Sequence, residues 1–385
     1  MDEKGDTTRM MGRICLECGS QLGPDSNFCP KDETHVVEPP DEALLGTTIA
    51  DRYHILSIIG RGGMGVVYKA RQIQVDRFVA VKMLHAHVAA DPQGLKRFQH
   101  EAKACGALQH PNLVQVHDSG VVDEARPYLV MSYEEGESLS QILEREGVLA
   151  PQRAINIFMQ VCDGLAHAHH KGIIHRDLKP GNILLTNSDM GPDFVKVVDF
   201  GIAKLLGPTG GKDSQSITKT GETFGSPWYM SPEQCVAQTL DARSDVYALG
   251  CVMYHALTGK PPLAGESAFE TMTFHVSKRP PPFRNIRPDL RIMPDLEKAV
   301  FTALEKVPEE RWQSMMDLKQ RLRRVGQGVS VSVTSMPLPP PPPAPKEADR
   351  TAPAVTQFRV NPRVVALLIA VVLLLLAAVL KSVVR

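Results

Sequence analysis

The sequence predicts an α+β fold of two lobes, a small β-rich lobe followed by a larger helical one. Three observations carry this reading. Between residues 53 and 84, β-branched and aromatic runs ("YHILSIIG", "GVVYKARQ", "RFVAVKML") alternate with Gly-rich or polar breaks, the pattern of short strands. Beyond residue 137 helical patterns dominate, above all "PQRAINIFMQVCDGLAHAHHKG", where Gly172 supplies a stop. Between those halves and after them, polar residues are pinned by aliphatic anchors. "IIHRDLKPGNILL" sets His175, Arg176, Asp177, Lys179 and Asn182 between Ile173-Ile174 and Ile183-Leu184-Leu185, which holds charges at the edge of a packed core.

The bulk numbers narrow the class. With 385 residues the chain exceeds one small core, and two or three units are expected. Lys+Arg and Asp+Glu balance at 43 each, so no general affinity for nucleic acid is implied. Seven scattered cysteines argue for a reducing compartment, not a disulfide framework. The opening "MDEKGDTTRMMGR" lacks the apolar core of a secretory signal.

Four segments are expected: a cysteine-bearing head over 12–36, a globular region over 47–324, a Pro-rich spacer over 325–362 and an apolar helix over 364–384. "MPLPPPPPAP" at the spacer's centre can form neither helix nor sheet and reads as extended polyproline. "VVALLIAVVLLLLAAVL", Val364 to Leu380, carries no charge. At 1.5 Å per residue it reaches about 26 Å, near the roughly 30 Å of a bilayer's hydrocarbon, so a membrane-spanning helix is expected. Its flanking basic residues, Arg359 and Arg363 before and Lys381 and Arg385 after, do not set its orientation.

In the globular region the first strand pair encloses G-x-G-x-x-G-x-V, met by Gly60, Gly62, Gly65 and Val67. Glycines there let backbone N–H groups approach phosphate oxygens, and the position between two strands argues against a dinucleotide fold. Lys82 interrupts the apolar run "FVAV", and a buried ammonium demands an anion. Asp91-Pro92 starts a helix on which Leu95, Phe98, Cys105 and Leu108 recur at helical spacing. Glu101 falls on that helix, within reach of Lys82 if the helix packs on the sheet.

Taken together with "HRDLKPGN" and "VVDFG", these segments resemble the eukaryotic-type protein kinase catalytic domain, in its bacterial serine/threonine form, over residues 47–324. The resemblance implies the bilobal protein kinase fold, with ATP and Mg²⁺ in the cleft and Ser/Thr-bearing proteins as substrates. It implies that Asp177 orients or deprotonates the acceptor hydroxyl and that Lys179 stabilises charge at the γ-phosphate. Asn182 and Asp199 would hold Mg²⁺, and Lys82, oriented by Glu101, the α- and β-phosphates. The nucleotide would further be lined by Ile59, Gly60, Gly62, Gly65, Val67, Ala80, Met131 and Tyr133, with Met131 the gatekeeper. His175 is expected to bond backbone near the "DFG" turn. Glu233 of "SPE" would pair with Arg311, and Asp245 starts a buried helix.

Arg176 before the aspartate implies activation by loop phosphorylation, with Thr218 and Thr220 as the phosphorylated pair and Thr223 a third candidate. Ser226 matches a residue that contacts Asp177 and Lys179. A kinase-domain dimer for trans-autophosphorylation is among the implied partners. The expected location is the cell inner membrane, single-pass, with the catalytic region cytoplasmic. The alternative function is a membrane-tethered pseudokinase or nucleotide-binding scaffold, which would lack an equivalent of Lys82, Asp177 or Asp199.

The head, "CLECGSQLGPDSNFCPKDETH", resembles a zinc ribbon whose last knuckle is C-x-x-D. Cys15, Cys18 and Cys29 are thiolate ligands, with Asp32 or His35 as the fourth. The alternative is a degenerate knuckle that, without metal, folds onto the catalytic region or stays mobile.

Overall fold

The computed structural model describes residues 13–15, 21–22, 36–37, 42–62, 65–84, 92–122, 126–188, 191–201, 227–289 and 292–328. The chain divides into two units, Met1–Ser332 and Val333–Arg385, and every described residue belongs to the first.

Three short strands, β1 (Arg13–Cys15), β2 (Gln21–Leu22) and β3 (Val36–Val37), form an antiparallel sheet in the order β2-β1-β3. Cys15 lies in β1, whereas Cys18, Cys29, Asp32 and His35 lie outside the described residues.

The small lobe is a six-stranded antiparallel sheet of order β4-β5-β6-β7-β9-β8. Its strands are β4 (Thr48–Ile49), β5 (Tyr53–Gly62), β6 (Gly65–Gln72), β7 (Arg77–Leu84), β8 (Val116–Val122) and β9 (Arg126–Ser132). Strand alternation sorts their side chains into two cores. Val66, Tyr68, Ala70, Val79, Val81, Met83, Tyr128 and Val130 point to one face and pack with Tyr53 and Ile55 in a cluster of their own. Ala80, Leu84, Leu129 and Met131 point to the other and join the large core of the helical lobe. Helix α1 (Pro92–Gly106) lies against that second face through Phe98, Ala102 and Cys105.

Beyond Ser132 the chain enters the large lobe. A three-stranded sheet of order β10-β11-β12 (Gly136–Ser138, Ile183–Ser188, Gly191–Val197) sits beside α2 (Leu139–Glu146) and α3 (Pro151–His170). Ser138 caps α2, accepting from the Gln141 N–H, while Gly172 beyond α3 takes φ +75°, which stops the helix where the sequence predicts. Helix α5 (Ala242–Thr258) is the axis of the lobe. It is apolar nearly all round, buried from Ser244 to Tyr254 without a break, capped by Asp241 and closed by left-handed Gly259.

The remaining helices are α4 (Pro232–Cys235), α6 (Ala268–Ser277), α7 (Phe283–Ile286), α8 (Pro294–Ala303) and α9 (Met315–Gly328). Helix α9 runs past residue 324 into the segment read as linker. Leu318, Leu322 and Val325 are buried at helical spacing against α3, and that face carries the helix onward. Among the described residues no helix is long and apolar enough to cross a membrane. Residues 364–384 lie outside them.

Candidate active site

The glycine hairpin joins β5 to β6, with Gly60 opposite Val67 and Gly62 opposite Gly65. Gly65 is required by its backbone: at φ +153° an added Cβ would stand 2.0 Å from the Met83 carbonyl oxygen. A Cβ on Gly62 would meet nothing within 4 Å, so packing does not demand that glycine, and open space beside it suits a ligand's approach. Val67 pairs with Lys82, Ala80 with Met131 and Lys82 with Leu129, so Val67, Ala80, Lys82 and Met131 share the face turned to the cleft. Ile59 is 46% exposed before the hairpin. Tyr133 follows β9 in the segment that connects the lobes.

On the floor of the cleft, the strand and turn after His175 bring the polar residues together. Lys179 Nζ lies 2.9 Å from Asp177 Oδ2. Asn182 Nδ2 donates to the Asp177 carbonyl at 2.7 Å and to Oδ2 at 3.3 Å. The Val198 N–H donates to the Asn182 carbonyl at 3.0 Å, which sets Asp199 beside Asn182.

Asp245 anchors this loop from below. One carboxylate oxygen accepts from the His175 N–H at 2.7 Å, the other from the Arg176 N–H at 3.0 Å, and His169 Nε2 sits 2.7 Å from the first. Burial pushes the Asp245 carboxyl up, but hydrogen bonding and charge from His169, with the charge and N–H of His175, outweigh it and leave the group below its ordinary value. The loop is strained where it is held: Arg176 takes φ +64° and Asp199 φ +61°, left-handed values that non-glycine residues keep only when their surroundings impose them.

His175 is fully buried, with Nε2 3.0 Å from the Val198 carbonyl, Nδ1 accepting from the Asp177 N–H at 3.3 Å, and its ring 4.7 Å from Phe200. Burial, the largest effect on it, shifts its value below the usual imidazole range. With both ring nitrogens engaged it is a strut and not a base.

Lys82 forms its ion pair with Asp199. Among the described residues no ion pair joins it to Glu101, contrary to the expectation from sequence. Glu101 is half-buried on α1, where its charge helps push the Cys105 thiol up to about 12, after the larger effect of burial. The physical reason is competition. The Lys82 side chain is 12% exposed and needs one carboxylate, and Asp199, reaching across from the floor, supplies it. Thr218, Thr220, Thr223 and Ser226 lie outside the described residues.

Behind the site, Glu233 and Arg311 pair as expected, through two bonds of 2.8 Å each. Sequence reading missed His169 and Gln234. The latter caps α4 in a box with Ser231 and donates to the Arg176 carbonyl at 2.9 Å; the S-x-x-Q spacing was the available signal.

The protein kinase domain family matches residues 53–322. The serine/threonine-protein kinase pkn3 of Myxococcus xanthus is 42% identical over 287 residues, 74% of this chain and 52% of that protein. PknB of Mycolicibacterium smegmatis is 42% identical over 283 residues, 73% of this chain and 44% of that protein. The chain thus spans about half the length of the curated relatives it matches. Among solved structures, the PknI kinase domain of Mycobacterium tuberculosis superposes with a TM-score of 0.58 at 27% identity, covering 72% of this chain and 98% of that one. With a β lobe joined to a helical lobe, and a family match over most of its length, this chain belongs to the protein kinase domain family.

Proposed function

We propose that the protein is a serine/threonine kinase that transfers the γ-phosphoryl group of ATP to Ser or Thr hydroxyls of other proteins. The observation that carries this is the Asp177, Lys179 and Asn182 cluster, joined to Asp199 on one side and facing Lys82 from the glycine-bearing sheet. A pseudokinase or scaffold has no need of the complete set.

Asp177 accepts the hydroxyl proton as the acceptor oxygen attacks, and Asn182 orients the carboxylate through its amide N–H. Lys179, 2.9 Å from Asp177, is in position to neutralise charge developing on the transferred group. Asn182 and Asp199 offer hard oxygen donors side by side, the donor set Mg²⁺ takes; bound there, Mg²⁺ would shield charge on the nucleotide phosphates. Lys82, paired with Asp199, holds the α- and β-phosphates, with Glu101 proposed as its orienting partner. The nucleotide lies against Ile59, Gly60, Gly62, Gly65, Val67, Ala80, Met131 and Tyr133.

Activation proceeds by phosphorylation of Thr218 and Thr220 through a kinase-domain dimer, with Arg176 the cation for the added phosphate. Phosphate absent between 214 and 226 in active protein would refute that. The head binds one zinc ion through Cys15, Cys18, Cys29 and Asp32 or His35, a staple for a stretch too short to bury its own core; elemental analysis finding no zinc would refute it. Residues 364–384 anchor the chain in the inner membrane with the kinase region in the cytoplasm, and release by salt alone would contradict this. The primary test is incubation of the full chain with γ-labelled ATP and Mg²⁺. Label recovered as phosphothreonine or phosphoserine supports the reading, and no label in protein or added substrate overturns it.

A further inference from the structure

The segment that connects the two lobes, Tyr133 to Glu135, belongs to no strand. Its three side chains are nevertheless held, and in opposite directions. Lys69 stands on β6 opposite Ala80, with Phe78 diagonally across on β7. All three face the cleft side of the sheet. The Lys69 ammonium lies 4.4 Å from the centroid of the Phe78 ring and 4.3 Å from that of Tyr133. The two rings meet edge-on at 6.5 Å, closing a two-walled cage around the charge. Glu135 Oε1 completes the rim at 3.9 Å.

From the other lobe, Lys196 on β12 forms an ion pair with Glu134 at 3.1 Å. The magnitudes separate these contacts. Glu135 is 81% exposed, and an ion pair in that setting contributes little. The Lys69 side chain is only 23% exposed, and its two aromatic contacts are of the kind that strengthens on desolvation. Both members of the Lys196–Glu134 pair are about four-fifths covered, so water screens them less.

We propose that Lys69 and Lys196 are positioning residues for the nucleotide: they fix the connecting segment from above and below and so preorganise the Met131–Tyr133 wall of the cleft. Neither side chain touches the reacting atoms. Both act through the segment, Lys69 through Tyr133 and Lys196 through Glu134. Ordering a loose segment at the moment of binding would weaken binding, so a segment already held binds more tightly. The effect falls on nucleotide affinity and not on the phosphoryl-transfer step, because Asp177, Lys179 and Asn182 are held separately through Asp245.

This inference rests on the kinase reading above. The test compares wild-type full chain with Lys69→Met, Lys69→Arg and Lys196→Met, measuring ATP affinity by displacement of a fluorescent ATP analogue and, in parallel, KM for ATP and kcat. Lys69→Met keeps the apolar stem and removes the charge. It should weaken ATP binding roughly fivefold, the scale set by losing two cation–π contacts, with kcat within about twofold. Lys69→Arg retains a cation that stacks on rings and should restore most of the affinity. Lys196→Met should weaken ATP binding by more than about twofold, also at near-constant kcat.

Unchanged affinity in both methionine variants overturns the proposal. So does failure of Lys69→Arg to rescue, or a fall in kcat at constant KM. Matched thermal melts of each variant separate a loss of nucleotide affinity from a loss of fold. If wild type binds the nucleotide yet transfers no phosphoryl group, the kinase reading fails, while the binding comparison still decides this one.

Discussion

Arg311 offers a quantitative test of how the helical lobe is held together. Its side chain is fully buried. Nε donates to the Glu305 carbonyl at 2.8 Å, Nη1 to Glu233 at 2.8 Å and to the Arg243 carbonyl at 3.1 Å, and Nη2 to Glu233 at 2.8 Å and to the Lys306 carbonyl at 2.9 Å. Five donors thus meet five acceptors, the full complement of a guanidinium. Its carbon also lies 5.0 Å from the Tyr247 ring centroid.

Arg311→Met would leave the buried Glu233 carboxylate with the Ser244 hydroxyl, at 2.7 Å, as its remaining side-chain partner. Breaking such a pair costs about 3–5 kcal/mol. Arg311→Lys is the sharper perturbation. An ammonium offers three donors in no fixed fork, so at least two of the five acceptors lose their partner, at about 1–3 kcal/mol each. Equilibrium urea unfolding of the full chain, with and without the substitution, measures the loss. Arg311→Lys should fall by 2 kcal/mol or more on this reckoning, and a loss under about 0.5 kcal/mol would refute the claim that the fork geometry, beyond the charge, matters here.

Two further outcomes are expected. Burial, followed by the charge of Lys306, lowers His275 to about 3. The unfolded chain therefore binds a proton near pH 6.5 that the folded chain refuses. The associated stability is present above 6.5 and lost as pH falls toward 3, at about 1.4 kcal/mol per pH unit. Between pH 6.5 and 5, His275→Asn should thus lose about 2 kcal/mol less than wild type, and parallel pH–stability curves would contradict this. Gly65→Ala drives a Cβ into the Met83 carbonyl oxygen, so the hairpin must shift. KM for ATP should rise at least tenfold, on the scale of 1–3 kcal/mol of backbone strain, and an unchanged KM would sink the geometric argument.

How much of this was legible in the sequence depends on what fixes each element. β5, β6 and β7 announce themselves because each carries β-branched residues that one face or both must bury. β8, "VHDSGVV", does not: it is an edge strand, half-exposed throughout and bulged between Val116 and Asp118, so its composition stays mixed. β10, three residues long, is hidden likewise. The floor of the site was readable because Asp177, Lys179 and Asn182 are near neighbours in the chain and local geometry leaves them few ways to point. Lys82 was readable as a buried charge, but its partner was not. Glu101 and Asp199 are both distant in sequence, and which one meets the ammonium depends on the seating of α1. The Lys69 cage was invisible for a related reason. It joins β6, β7 and the connecting segment, and a lysine on a strand reads as an ordinary solvated side chain until the two rings are seen around it.

The central proposal is that Asp177 and Lys82, contributed by the two lobes, make this chain a phosphotransferase. Incorporation of phosphate from γ-labelled ATP into the full chain and an added protein substrate, measured for wild type, Asp177→Asn and Lys82→Met with matched thermal melts, tests it most directly. The account predicts labelled wild type and loss of incorporation by at least about a hundredfold in both variants, the scale of removing a positioned base for Asp177 and a preorganised cation for Lys82. Undiminished incorporation in both would contradict it.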